Sequence, residues 1–218
     1  VKGRVETKDL VGVLRGHKER VPPQCYLATT LATAVDVALA ELSDAADARS
    51  GSLEAAHRLA STIAEAIAYR PGSTHIATTA AEALAQGQGV CQDQTHALLA
   101  IARRAGIPAR YVSGYLHSTE IALSQEATQT SGKKMSQQAR QERAPGTSHE
   151  AAHAWAELWI DGLGWVGFDP ANECCPDDRY IRLGSGLDAL DAAPIKGIAR
   201  GPGAESLDVH LAVHQSEQ

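Results

Sequence analysis

Aromatic side chains make up only 4% of this sequence, with a single phenylalanine and a single methionine. Any core must be built from alanine, leucine, isoleucine and valine. No apolar run approaches the ~20 residues that a bilayer span needs, so no membrane partner is expected on that ground. An apolar leader is missing from the opening "VKGRVETKDL", which makes a cytoplasmic address the default expectation. Basic residues are in the minority: 20 Lys and Arg stand against 26 Asp and Glu, for a net charge of -6. Nucleic acid and anionic membranes are therefore disfavoured as partners, because phosphates attract clustered positive charge. Only four cysteines occur, Cys25, Cys91, Cys174 and Cys175. They lack the paired C-x-x-C spacing of a structural zinc site. Vicinal Cys174 and Cys175 cannot bridge each other without backbone strain, so a reduced compartment is the simpler assumption.

What remains is an ordinary globular balance, 44% hydrophobic and 21% charged over 218 residues. That length allows one large domain, or one domain with an appendage. Residues 1–25 are Gly- and Pro-punctuated and mildly β-like, and read as one or two peripheral strands and a connector. Helical spacing predicts helices over about 29–47, 52–69 and 77–86, with Ser52 opening the second and Gly87 closing the third. From Cys91 onward Ala97, Leu98, Ile101 and Ala102 recur at helical spacing, until Gly106 and Pro108 end the helix. "ARYVSGYL" is strand-like. Residues 118–148 are polar and poor in large apolar side chains, and read as a long mobile insertion. Two strands flank "DGLG", an irregular stretch runs to Tyr180, and "LDVHLAVHQ" reads as a last strand.

All three tryptophans fall between residues 155 and 165, beside His149-Glu150-Ala151-Ala152-His153. Those five residues match H-E-x-x-H, the zinc-metalloprotease motif, which needs a helix to set its two histidines one turn apart. Glu173 is a candidate third ligand. Residues 152–160 alternate instead: Ala152, Ala154, Ala156, Leu158 and Ile160 on one side, His153, Trp155, Glu157 and Trp159 on the other. That is the period of a strand, and a strand would separate His149 from His153 by about 13 Å. A shared metal is disfavoured, and no metal or cofactor is expected.

Cys91 follows Gly-Gln-Gly and opens a helix. The unpaired N–H groups of a helix start stabilise an anion, which favours a thiolate nucleophile. An imidazole beside it would complete the activation and carry the proton to a leaving group. His153 is the candidate. A carboxylate on the other ring nitrogen would fix the tautomer, and Asp169 of "FDP" is the candidate for that. Cys91 alone could be an inert buried thiol; its coincidence with His153 and Asp169 favours chemistry.

These blocks carry a resemblance. "GVCQDQTHALLAIARRAGIPARYVSGYL", "HAWAELWIDGLGWVGFDPAN" and "RYIRL" resemble, in order, the bacterial transglutaminase-like, cysteine-peptidase-like superfamily over about residues 69–214. The resemblance implies an α+β, papain-like core, with the nucleophile on a helix packed against an antiparallel sheet. It implies a Cys91–His153–Asp169 catalytic triad and no cofactor. It also implies that residues 1–25 are the end of a truncated N-terminal β region, and that 26–218 form the catalytic core. The family typically reads S-H-A-W where this chain reads S-H-E-A-A-H-A-W, which makes the zinc motif a local accident.

The expected activity is acyl transfer at a peptide or carboxamide carbonyl through a thioester, in a peptide or protein substrate. Hydrolysis is slightly favoured over amine transfer. The alternatives are a non-catalytic binding module of the same fold and, behind it, a zinc metalloprotease. The Cys91 N–H is the natural first oxyanion donor, with Gln86 and Gln88 as weak candidates for a second. His96 reads as a packed histidine, Asn172 as a turn residue, and Trp155 as either groove wall or core. One geometric conflict stands out. A regular hairpin pairing Ile160 with Trp165 would put His153 on the face opposite Asp169, so an irregularity near Gly162, Gly164 or Gly167 is predicted.

Overall fold

The computed structural model describes residues 3–46, 51–117 and 152–197. The polar insertion, the terminal "LDVHLAVHQ", His149 and Glu150 lie outside the described residues.

The helices begin where side chains can satisfy the free N–H groups of a first turn. Helix α1 spans Val37–Ala45, and Asp36 caps it by accepting from the Leu39 N–H. It starts later than the sequence pattern suggests. Thr30 and Thr33 close a turn on each other instead, Thr30 N–H donating to Thr33 Oγ1 at 3.0 Å. Helix α2 covers Leu53–Ala66 behind Ser52, which accepts from the Ala55 N–H. The chain then leaves the helix, and Ala68–Tyr69 form a two-residue strand, β1. Helix α3, Ala80–Gln86, has the reciprocal Thr79–Glu82 cap and ends on left-handed Gly87. Strand β2, Gln88–Gly89, pairs in parallel with β1. Helix α4, Cys91–Arg104, follows at once.

Residues 93–103 of α4 are all buried. The other three helices pack around it on one side, and a sheet covers the other. That sheet comprises β3 (Ala109–Leu116), β4 (Ala152–Ile160), β5 (Gly164–Phe168) and β6 (Tyr180–Gly186), all antiparallel, in the order β5-β4-β3-β6. The class is α+β, as expected. Leu98, Leu99 and Ile101 of α4 share one core with Tyr111, Ala156, Leu158, Val166 and Phe168 of the sheet. Strand β6 falls where the sequence reads as irregular up to Tyr180 and is not marked as a strand after it. Its glycines and Arg182 mask the alternation.

The outer face of the sheet holds charge. Arg110 is 1% exposed, and its guanidinium reaches Glu157 at 2.6 Å and Glu19 at 2.7 Å. Arg182 meets Glu157 at 2.8 Å. Trp165 donates its indole N–H to Glu19, and the Arg110 guanidinium lies 4.0 Å over the Trp165 ring. The N-terminal segment supplies Glu19 and covers this face. It enters as an extended stretch with a single bridge, Val13 to Val166, followed by a 3-10 helix at Pro23–Leu27 that brings Tyr26 against Trp165. Opposite His153, Gly114 has no room for a side chain, because a Cβ there would come within 2.5 Å of the Trp155 ring.

Candidate active site

The hairpin resolves the predicted conflict of faces. Ile160 pairs with Gly164, not Trp165, and Ala156 with Phe168. Gly162 and Gly164 both take left-handed backbone, at φ 79° and 82°, and the loop closes through a Leu163 N–H to Ile160 carbonyl bond. This one-residue change inverts the alternation of β5 relative to β4. One step past the Phe168 pair, Asp169 comes level with Trp155, whose side chain shares a face with that of His153. The irregularity lies at the turn glycines, two of the three named from the sequence.

Asp169 follows β5 directly and opens a tight loop that returns at Cys174. The two residues exchange backbone hydrogen bonds at 2.9 and 3.2 Å. Its side chain is buried, and every donor around it converges. His153 Nε2 lies 2.6 Å from Asp169 Oδ2. Asn172 Nδ2 and the Tyr180 hydroxyl each donate to the same oxygen at 2.7 Å. The backbone N–H groups of Ala171 and Asn172 donate to Oδ1 at 3.0 and 3.3 Å. Burial alone would raise the carboxyl pKa, but the bonds from His153, Asn172 and Tyr180 outweigh it and hold the group below its ordinary range.

His153 sits at the start of β4 with its side chain 9% exposed. Asp169 takes Nε2, which leaves Nδ1 as the ring atom for the thiol side. Cys91, at the start of α4, lies near enough to act on the ring's proton affinity. Burial would lower the imidazole pKa, yet the hydrogen bonds and charges of Asp169 and Cys91 push it up to about 10. The geometry therefore favours an imidazolium held against the Asp169 carboxylate.

This has a consequence for stability. His153 holds its proton more tightly when folded than at its ordinary value of 6.5. Its contribution is complete below about pH 6.5 and is lost as pH rises through about 10. Asp169 mirrors this, contributing above its ordinary 3.8 and losing that contribution as pH falls through its lowered folded value. Melting temperatures of the native chain and of His153→Ala, measured from pH 6 to 10.5, are expected to converge at the alkaline end. A gap that stays constant across that range would contradict this account.

Cys91 occupies the first residue of α4 and is half-buried. Glycine is required just before it, since a Cβ on Gly89 would meet the Asp93 side chain at 2.8 Å. Asp93 is fully buried, and its Oδ2 accepts from the Val90 N–H at 2.8 Å and from the Thr74 hydroxyl at 2.5 Å. Gln92 donates to the Ile76 carbonyl. Together Asp93 and Gln92 pin the 70–78 loop onto the first turn of α4. Gln88, a weak candidate oxyanion donor, has its carbonyl oxygen engaged by Arg70.

Other residues sort clearly. His96 is buried, accepts from the Ala189 N–H, and is pushed down by burial to about 4, so it is neutral at pH 7. Trp155 is 2% exposed and belongs to the outer-face cluster with Val112 and Tyr180, which rules out a groove wall. Burial raises the thiols of Cys174 and Cys175, which makes both poor nucleophiles at pH 7. His153 lies on a strand, where the H-E-x-x-H reading needs a helix. Among the described residues no cluster of three or more His, Cys, Asp or Glu side chains is arranged to hold a metal. Tyr180 was missed in the sequence; "RYIRL" carries no spacing that would point it at Asp169.

Comparison with known proteins now bears on this arrangement. An uncharacterized protein of Mycobacterium leprae is 39% identical over 107 residues, 49% of this chain and 30% of that protein. One from Mycobacterium tuberculosis H37Rv is 37% identical over 150 residues, 67% of this chain and 42% of its own length. The chain thus spans less than half the length of these relatives. Among solved structures, a proposed cysteine protease from Cytophaga hutchinsonii superposes with a TM-score of 0.54 at 22% identity, over 84% of this chain and 53% of that one. The periplasmic domain of TgpA from Pseudomonas aeruginosa gives a TM-score of 0.41 at 22% identity, over 71% and 50% of the two chains. The first of these likenesses marks the papain-like fold. The transglutaminase-like superfamily model matches residues 40–170, a span that holds Cys91, His153 and Asp169. On that match the chain belongs to the transglutaminase-like superfamily.

Proposed function

We propose that this protein is a cysteine-dependent acyl-transfer enzyme acting on a peptide or protein carboxamide, with water as the favoured acceptor. The carrying observation is the buried 2.6 Å bond between His153 and Asp169, made by a ring whose proton affinity Cys91 at the start of α4 also raises. Cys91 Sγ attacks the carbonyl carbon as a thiolate. The Cys91 N–H at the helix start faces the developing oxyanion. The C–N bond breaks as the His153 imidazolium gives its proton to the leaving amine, and a thioester remains. Neutral His153 then takes a proton from water. The water oxygen attacks the thioester, the C–S bond breaks, the carboxylic acid leaves, and the thiolate–imidazolium pair returns. Asp169 keeps the ring oriented and its charge balanced throughout. An amine in place of water would give a new amide, and so a transglutaminase.

The test is selective alkylation. With a mild haloacetamide at pH 6, Cys91 is expected to react at least about tenfold faster than Cys25, Cys174 or Cys175, and to lose that lead in His153→Ala. Equal, slow labelling of all four cysteines would instead mark a binding module that keeps the fold without the chemistry.

A further inference from the structure

We propose that Tyr180 is a positioning residue of the acyl-transfer centre, its hydroxyl holding the Asp169 carboxylate turned toward His153. The inference rests on the functional reading above and adds a strand to the machinery, since Tyr180 opens β6 while Asp169 and Asn172 share one loop.

Three features support it. The first is direction. The hydroxyl lies 2.7 Å from Asp169 Oδ2, the oxygen that meets His153. On its other side it lies 3.4 Å from Cys174 Sγ, which fits a hydroxyl that accepts from the thiol and donates to the carboxylate. The second is rigidity. The Tyr180 ring stands edge-on to Trp155 at 5.4 Å and to His153 at 5.9 Å, and the residue is 6% exposed. A ring so enclosed cannot swing its hydroxyl elsewhere. The third is persistence of the donor. Burial and the charge of Asp169 push the phenol far above its ordinary value, so it stays protonated wherever the site is intact. Asn172 supplies a second donor to the same oxygen, but from a side chain that also lies 3.3 Å from His153 Nε2. Tyr180 touches the carboxylate without competing for the ring nitrogen, and it spares the carboxylate from rotating away when His153 gives up its proton.

The test reads Asp169 directly. In Tyr180→Phe the ring packing is kept and only the hydroxyl is lost. The carboxyl carbon-13 resonance of Asp169, assigned with Asp169→Asn, is followed against pH. Loss of one hydrogen bond to a charged group is expected to move its midpoint upward by about one pH unit. A merely structural role would lower the melting temperature and leave that midpoint in place, and an unmoved midpoint overturns the proposal. If the variant does not fold, the unaltered chain decides: the Tyr180 hydroxyl proton is expected as a resonance protected from solvent exchange, and rapid exchange overturns the proposal. Neither readout needs turnover. If Cys91 labels no faster than the other thiols while the midpoint still moves, the acyl-transfer reading falls and the Tyr180 contact stands.

Discussion

Cys91→Ser is expected to lower peptide turnover by about 10⁴-fold or more, with the fold intact by circular dichroism. The size follows from the chemistry. A serine hydroxyl cannot be held as an anion by imidazolium at neutral pH, so the substitution would remove the proposed ion pair as well as the atom. Binding and the backbone donors at the helix start survive and leave only a residual rate. The measurement is a peptide-library digest read by mass spectrometry, native chain against variant, with a primary amine present in a second arm. Hydrolysed products that vanish in the variant support the reading. Stable incorporation of the amine would shift the acceptor from water to amine while keeping the thioester. Turnover within tenfold of the native rate would remove Cys91 from the chemistry.

Glu157→Ala is expected to be the most damaging single substitution for stability. Glu157 is 3% exposed and bonds both Arg110 and Arg182. Arg110 is more deeply buried still, and one of its terminal nitrogens, Nη2, is buried without a partner among the described residues. Removing the carboxylate leaves a buried guanidinium with Glu19 as its only carboxylate partner among the described residues. Breaking a buried pair this way costs about 3–5 kcal/mol, or roughly 10 °C in melting temperature for a domain of this size. The paired change Arg110→Met with Glu157→Leu is expected to recover most of the loss, since two apolar side chains avoid the desolvation of both ions. Urea denaturation of the native chain and the two variants measures this. A loss under about 1 kcal/mol for Glu157→Ala would show the network to be ornamental.

Much of this was legible in the sequence, because the readable parts depend on local rules. The helix starts at Ser52 and Cys91 follow from local composition and apolar spacing, while the third helix begins at Ala80, behind the Thr79 cap, rather than at 77. The strand at residues 152–160 follows from strict alternation, and that alternation alone separated His153 from a zinc helix. The irregular hairpin was legible as a conflict of faces, and the turn glycines resolve it. What the sequence hides is non-local. Tyr180 lies 11 residues beyond Asp169, and nothing in its neighbours says that β6 will pair with β3 and bring its ring under His153. The charge network is hidden for the same reason, since Glu19 and Arg110 are 91 positions apart. Asp36 taking the cap of α1 shows how a threonine pair upstream can spend its hydroxyls on a turn.

One pairing in the sheet bears on how such proteins diversify. Tyr115 and Ala152 are register partners on neighbouring strands, so the chain leaves β3 and rejoins β4 at points held one ladder rung apart. Whatever joins them starts and finishes at a fixed doorstep. Lengthening a connection between anchored ends costs only about 0.6 kcal/mol per doubling. Evolution, or an engineer, can therefore splice new sequence beside His153 and change what is presented to the thiol, while the strand that carries the imidazole keeps its register.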